Sequence, residues 1–211
     1  MTENEADVPY GENFHDALTA ARWAEAASQK RPWRTDFFRA FADAISLSPL
    51  HAPRILELGS GPGFLAEFVL DHCPKVVDYT LLDFARPMLQ LSQQLLRSKH
   101  PRSRYVCANF KLPSWTSAVS EPFDFILSIQ AVHELRHKRH APMLYAQVRS
   151  LLSPTGSFLI CDHLPGEQPS TTRQALYMTI DENLAALAAA GFPAPLCVEA
   201  GHDMALFSAA R

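Results

Sequence analysis

The chain has 211 residues, of which 47% are hydrophobic, and its formal net charge is −3. A chain of this length buries one sizeable core but hardly two, so we expect one structural domain. The positive residues are scattered apart from one short cluster, which argues against a nucleic-acid partner and favours a small-molecule substrate.

No apolar run is long enough to span a bilayer, and the polar, acidic start differs from a signal peptide, so no membrane partner is expected. The cysteines form no Cys-x-x-Cys pair and mostly lie within or beside apolar runs; they are Cys73, Cys107, Cys161 and Cys197. They are expected to be buried, reduced thiols of a cytoplasmic protein.

Residues 1–53 are predicted to form a helical leader that precedes the core at 54–211. Its start is expected to be mobile to about residue 12, and an alanine-rich helix should follow from Phe14 to Ser28. Thr35 is the predicted N-cap of a second helix with an apolar, phenylalanine-rich stripe.

Strand and helix signals alternate after the leader. One helix should open at Pro87, and another should run from the end of the fourth strand to about Leu152, before a turn at Ser153–Gly156. The first five strands are predicted at Arg54–Glu57, Val76–Leu82, Arg104–Ala108, Phe123–Ile129 and Ser157–Asp162. Parallel neighbours need crossover helices, so these strands indicate an α/β fold with a doubly wound, mostly parallel sheet.

The last quarter of the chain changes character. Thr179–Glu182 has the spacing of a capping box, and Gly191 is well placed to end the helix that it starts. Leu196–Glu199 and Met204–Ser208 are short strands that form a plausible hairpin, so one antiparallel strand should close the sheet.

A glycine-rich turn follows the first predicted strand, in the sequence Glu57-Leu58-Gly59-Ser60-Gly61-Pro62-Gly63. An apolar helical stripe begins directly after it, so the glycines lie between a buried strand and the helix packed upon it. Glycines allow the backbone to approach a ligand closely, because no side chain intervenes. A carboxylate at the mouth of the turn would repel pyrophosphate, so Glu57 favours a cationic ligand over a dinucleotide.

This acid-x-Gly-x-Gly-x-Gly pattern resembles the first motif of class I S-adenosylmethionine-dependent methyltransferases. The segments Asp83–Leu89 and Phe123–Leu135 fit the family's second- and fourth-strand motifs, so the resemblance runs from about residue 54 to residue 163. It implies a Rossmann-like, seven-stranded sheet with an N-terminal helical cap. It also implies S-adenosylmethionine as cofactor and S-adenosylhomocysteine as product.

The resemblance assigns cofactor contacts to residues that follow the strands. Glu57 either binds the ammonium group or orders the turn, and Asp83 either accepts the ribose hydroxyls or caps a helix. The family usually has an aspartate where this chain has Asn109, which either accepts the adenine amino group or only caps a turn. The residues assigned to the cofactor are Glu57, Gly59, Gly61, Gly63, Asp83, Phe84, Met88, Asn109, Phe110 and Gln130.

Methyl transfer from a sulfonium is a direct displacement, so the protein mainly positions and dehydrates the reactants. A base is required only if the acceptor must lose a proton. His133 is then the candidate catalytic residue, with the alternative that it only fixes the start of a helix, and His163 is a second candidate.

The segment His133–His137 is also a literal His-Glu-x-x-His, the zinc-protease pattern. It begins directly after a parallel strand, and no clear third ligand follows, so no metal is expected. In the leader, four side chains either form a lid over the acceptor or simply pack: Trp23, Arg31, Trp33 and Arg34.

The fourth strand is not followed by the Asn/Asp-Pro-Pro-aromatic segment of certain amino-group methyltransferases, and no Pro-Cys pair is present. We therefore expect methyl transfer to oxygen, nitrogen or another nucleophilic atom of a small-molecule acceptor. The alternatives are a non-catalytic S-adenosylmethionine-binding protein that regulates or supports a partner and, third, a nicotinamide dehydrogenase. The acceptor and the oligomeric state are left open.

Overall fold

The computed structural model describes residues 6–119 and 122–211, in which strands and helices alternate around one sheet. The strands are β1 (Arg54–Leu58), β2 (Asp78–Asp83), β3 (Arg104–Cys107), β4 (Phe123–Ile129), β5 (Leu152–His163), β6 (Leu196–Gly201) and β7 (Met204–Ala210). The helices are α1 (Ala17–Lys30), α2 (Arg34–Leu47), α3 (Phe64–His72), α4 (Arg86–Leu96), α5 (Ala141–Leu151), α6 (Thr171–Leu176) and α7 (Ile180–Ala189). Short 3₁₀ helices include Pro113–Ala118, Val132–Leu135 and Lys138–His140.

The sheet has seven strands in the order β3-β2-β1-β4-β5-β7-β6. Strands β1 to β5 run parallel to one another, and β7 runs antiparallel between β5 and β6. The predicted doubly wound sheet with an antiparallel C-terminal strand is therefore confirmed. The strand order reverses between β1 and β4, and a crevice forms at such a switch point beyond the carboxyl ends of the strands.

The core has two layers because alternate residues of each strand point to opposite faces of the sheet. Ile55 of β1 belongs to the layer beneath α2, α3 and α4, whereas Leu56 belongs to the layer beneath α5 and α7. Helix α2 contributes Phe37 and Phe41, both almost completely buried. Burying a side chain of this size contributes roughly 1.5–3 kcal/mol, so part of the leader stabilises the core.

The predicted start of the second helix is wrong. Helix α2 begins at Arg34, and Thr35 already lies in the first helical turn, where its backbone N–H is bonded to the Pro32 carbonyl at 3.4 Å. The first helix also begins later than predicted, at Ala17, because Asp16 is the N-cap and accepts a bond from the Thr19 backbone.

The predicted helix directly after the fourth strand is also wrong. Two short 3₁₀ helices, Val132–Leu135 and Lys138–His140, lie there instead, and α5 begins only at Ala141. The break lies at Arg136, whose φ is +68°. The Arg136 carbonyl accepts a bond from Val8 at 2.8 Å, and its guanidinium donates to the carbonyls of Val8 and Pro9. The start of the chain, expected to be mobile, therefore packs against this break from Asp7 onwards.

Near the C-terminus, the capping box is confirmed, because Thr179 and Glu182 exchange both bonds at the start of α7. The predicted turn at Ser153–Gly156 lies within β5, as an irregularity in its pairing with β4. Across the described residues, no helix combines the length and apolar character that crossing a membrane requires.

Candidate active site

A cavity of about 160 Å³ lies at the carboxyl ends of β1, β2, β4 and β5, where the switch-point crevice was expected. The core and the leader both contribute to its wall. The core contributes Gly59, Gly61, Asp83, Phe84, Met88, Phe110, Gln130, Ala131, His133, Glu134, His163 and Tyr177, and the leader contributes Phe14, Trp23 and Arg31.

The glycine turn forms one side of this cavity. The Gly59 N–H donates to the Leu82 carbonyl at 2.8 Å, which ties the turn to the end of β2. Gly59 has a φ of +65°, and a Cβ atom there would lie 2.4 Å from the Ala131 Cβ, so only glycine fits. At Gly61 the φ is +53° and a Cβ atom would meet nothing within 4 Å, because that position faces open space.

Gly63 has a different role from the other two glycines. It is the N-cap of α3 with a φ of +86°, and a Cβ atom there would lie 2.8 Å from the Ser92 Cβ of α4. It does not line the cavity, so the structure assigns Gly63 to the packing of α3 against α4.

Glu57 is buried behind the turn and does not line the cavity. Its Oε2 accepts a hydrogen bond of 2.7 Å from the Tyr79 hydroxyl. Burial raises the pKa of Glu57 to about 8, despite that hydrogen bond. Glu57 is therefore bonded to β2 behind the turn, and its role toward the cofactor stays a prediction.

Asp83 connects the end of β2 to the glycine turn. Its two carboxylate oxygens accept bonds of 2.8 Å from the backbone N–H groups of Gly61 and Ala85. Burial raises the pKa of Asp83 to about 6, although these bonds favour the charged form. Each oxygen keeps a lone pair, so the carboxylate can accept further donors from the cavity.

The apolar residues predicted for the adenine lie in the cavity wall, but the polar one does not. Phe84, Met88 and Phe110 line the cavity. The Asn109 Oδ1 instead accepts a bond of 2.9 Å from the Lys111 backbone, outside the cavity wall. This is the turn-capping role that was left open for Asn109.

Gln130 directly follows β4 and has a φ of +52°. Its side-chain Nε2 donates to the His163 Nε2 at 3.0 Å. Its Oε1 is buried and has no partner among the residues that the structure describes. Gln130 therefore presents an unused acceptor in the wall where a cofactor contact was predicted.

His133 also lines the cavity, and Asp162 at the end of β5 holds it. Its Nδ1 is 2.7 Å from the Asp162 Oδ1, and its backbone N–H donates to the Asp162 Oδ2 at 2.9 Å. Its Nε2 is 3.5 Å from the Glu134 Oε1. Burial disfavours the charged ring, but the two carboxylates outweigh burial and raise the pKa of His133 to about 10.

His163 differs from His133 in charge although the two rings are in contact. Burial is the main reason why the pKa of His163 falls to about 4, and the positive His133 and Arg31 add to this. A neutral ring can accept the Gln130 bond. The rings of His133, His163 and Tyr177 contact one another with centroids 5.3–5.6 Å apart.

The zinc-protease pattern does not form a metal site in this fold. The left-handed residue Arg136 interrupts the segment, so His133 and His137 do not share the face of an α-helix. Within residues 6–119 and 122–211, no group of three His, Cys, Asp or Glu side chains could hold a metal ion.

Only part of the predicted lid lies over the cavity. Trp23 and Arg31 line it, whereas Trp33 stacks on His202 with centroids 5.0 Å apart and Arg34 is buried beside Phe38. Sequence reasoning missed the wall residues Phe14, Ala131, Glu134 and Tyr177 and the supporting residue Asp162. For Asp162 a signal was present, because a carboxylate ends the fifth predicted strand beside the end of the fourth.

Residues 55–156 match the model of the methyltransferase domain family. The chain is similar to malonyl-[acyl-carrier protein] O-methyltransferase of Paenibacillus sp. (strain JDR-2), with 29% identity over 115 residues. That match covers 54% of this chain and 41% of the relative, so this chain spans less than half of the relative's length.

Two solved structures share the fold. Human N-acetylserotonin methyltransferase in complex with S-adenosylmethionine has a TM-score of 0.73 and 17% identity over 97% of this chain and 60% of that chain. PigF with S-adenosylhomocysteine has a TM-score of 0.74 and 14% identity over 94% of this chain and 60% of that chain.

These comparisons confirm the fold predicted from the sequence and support a methyltransferase domain over residues 55–156. The glycine turn and Asp83 also lie in the same cavity wall, as the family resemblance required. Residues 55–156, just under half of the chain, match the methyltransferase domain family, and the chain shares its fold with human N-acetylserotonin methyltransferase.

Proposed function

We propose that the protein transfers a methyl group from S-adenosylmethionine to a nucleophilic atom of a small-molecule acceptor. The observation that carries this proposal is a single cavity lined both by the glycine turn and Asp83 and by His133, which is bonded to Asp162. Transfer to oxygen is the reaction that the curated relative's name describes, so it is the first form to test.

The residues present fit the cofactor. Gly61 leaves open space where a side chain would stand, so its backbone can approach the methionine part. Asp83 offers a buried carboxylate with free lone pairs for ribose hydroxyls, and Phe84 and Met88 offer apolar surface for the adenine. When bound, the cofactor would supply an electrophilic methyl group on a positively charged sulfur.

The remaining residues would orient the acceptor and exclude water. Trp23 and Phe14 of the leader cover the cavity, with ring centroids 5.8 Å apart. His133 would accept the acceptor's proton at Nε2, because Asp162 occupies Nδ1 and fixes the ring. A pKa of about 10 means that the free protein holds most of this imidazole protonated at neutral pH.

The base role therefore predicts a pH dependence. Below the pKa of His133, kcat/KM should rise about tenfold per pH unit, and it should level off near pH 10. His133→Ala should lower turnover while the Kd for S-adenosylhomocysteine stays nearly unchanged. Unchanged turnover, or a flat profile in the wild type, would reject the base role.

Calorimetry with S-adenosylmethionine and S-adenosylhomocysteine tests whether the protein binds the cofactor. If it binds neither compound, the proposal is refuted. A labelled methyl group appearing in an acceptor would then exclude the alternative of a non-catalytic binding protein. A panel of small hydroxyl- and amine-containing metabolites provides the acceptors for that assay.

A further inference from the structure

Arg31 is the C-cap residue of α1, and its side chain lines the cavity. The other charged residues of the cavity wall have partners. Asp83 accepts two backbone bonds, and His133 and Glu134 belong to a network of ion pairs. Within the described parts of the chain, the Arg31 guanidinium has neither a hydrogen bond nor an ion pair. The wall therefore contains one uncompensated positive charge.

This charge lies at the His163 end of the cavity. Ala20 of α1 belongs to the cluster with Ala85 and Met88, at the end predicted for the adenine. Arg31 follows eleven residues later, which is about 16 Å along a helix. Arg31 also acts electrostatically on His163 and Tyr177, whose rings contact His133. Its charge therefore faces the part of the cavity where an acceptor would meet His133.

We propose that Arg31 binds a carboxylate of the methyl acceptor, so that the substrates are small organic acids. This inference rests on the proposed function and specifies its substrate class. A guanidinium pairs with a carboxylate through two parallel N–H bonds, which fixes orientation as well as position. The acid group would be held at Arg31 while the nucleophilic atom lies beside His133.

A carboxylate suits this place better than a phosphate. The C-terminal end of α1 presents carbonyl groups and the negative end of the helix dipole, so no backbone N–H groups assist there. A single guanidinium balances the charge of a monoanion but not that of a dianion. The cofactor also has a carboxylate, on its methionine part, and the position of Arg31 beside His163 and Tyr177 favours the acceptor's carboxylate instead.

The test compares acids with their uncharged amides on protein saturated with S-adenosylhomocysteine. The pairs are benzoate and benzamide, 4-hydroxybenzoate and 4-hydroxybenzamide, and 3-hydroxybutyrate and 3-hydroxybutyramide, each titrated by calorimetry. The wild type should bind the acid of at least one pair about tenfold more tightly than its amide. Arg31→Gln should reduce that preference to within about twofold. Lys30→Gln, which removes a neighbouring exposed charge, should retain it.

Two results would overturn this inference while the proposed function stands: no acid preference in any pair, or an equal preference in Arg31→Gln. A loss of about tenfold or more in the variant's affinity for S-adenosylhomocysteine would also overturn it, because Arg31 would then hold the cofactor's carboxylate. Failure of the wild type to bind S-adenosylhomocysteine would instead refute the proposed function itself. Thermal melting of Arg31→Gln separates a binding defect from loss of the fold.

Discussion

The pair formed by His133 and Asp162 should make the stability of the protein depend on pH in the alkaline range. The pKa of His133 is about 10, against an ordinary value of 6.5. Because the pKa is raised by folding, the pair's contribution is fully present below the unfolded pKa and is lost as pH rises through the folded pKa. The loss should therefore extend from about pH 6.5 to about pH 10, and about half of it should fall between pH 8 and pH 10.

The size of the loss follows from the same values. At about 1.36 kcal/mol per pH unit, the free energy of unfolding should fall by about 2 kcal/mol between pH 8 and pH 10. For a chain of this length that corresponds to a fall in Tm of about 4–8 °C. Other groups also make stability depend on pH in this range. Burial raises the pKa of the Cys161 thiol well above its ordinary value, so this thiol ionises more readily in the unfolded chain than in the folded protein. The decisive quantity is therefore the difference between wild type and variant.

Asp162→Asn removes the negative partner, and His133→Gln removes the titrating ring. Urea unfolding of both variants and of the wild type at several pH values measures the difference, and His51→Gln, which changes an exposed histidine, is the control. Between pH 8 and pH 10, the free energy of unfolding should fall by about 2 kcal/mol less in both test variants than in the wild type and the control. Parallel curves for all four proteins would refute the assignment of a charged pair at this site.

Two further predictions concern Asp83 and the glycine turn. Asp83→Asn should weaken binding of S-adenosylhomocysteine by about tenfold in calorimetry, because an amide cannot accept ribose hydroxyls on both atoms; unaltered affinity would contradict the ribose assignment. Gly59→Ala should cost about 1–3 kcal/mol in urea unfolding, because its Cβ would clash with Ala131. The methyl group of Gly61→Ala projects into open space, so this variant should lose less stability than Gly59→Ala but more affinity for the cofactor. A larger loss of stability and a smaller loss of affinity than in Gly59→Ala would contradict the proposed contact between the Gly61 backbone and the cofactor.

The glycine turn could be predicted from the sequence because its determinants are local. The strand, the turn and the helix that follow Arg54 are contiguous, and positive φ angles at Gly59 and Gly61 are what a close approach to a ligand needs. Asp83 could be predicted for a similar reason, since the end of a buried strand adjacent in the sheet must lie beside the turn.

The acceptor side could not be predicted as well, because it depends on contacts between distant parts of the chain. The helix expected after β4 fails at Arg136, whose backbone pairs with Val8. The charge of His133 depends on Asp162, which only the register of β4 against β5 brings within 2.7 Å. Asn109 differs from both, because the oxygen that the resemblance assigned to the cofactor also accepts a bond from the nearby Lys111 backbone.

The leader contains two parts that are held very differently. Helix α2 buries phenylalanines in the core, so its removal should cost several kcal/mol. The segment before α1 is held mainly by polar contacts, including exposed ion pairs from Asp7 to Lys111 and Arg139, and such pairs contribute about 0–1 kcal/mol each. A cavity of about 160 Å³ is also small beside the roughly 300–1,000 Å³ of most ligand sites. We therefore expect cofactor entry to displace the segment before α1, while α2 stays in the core, because local opening follows the weakest contacts.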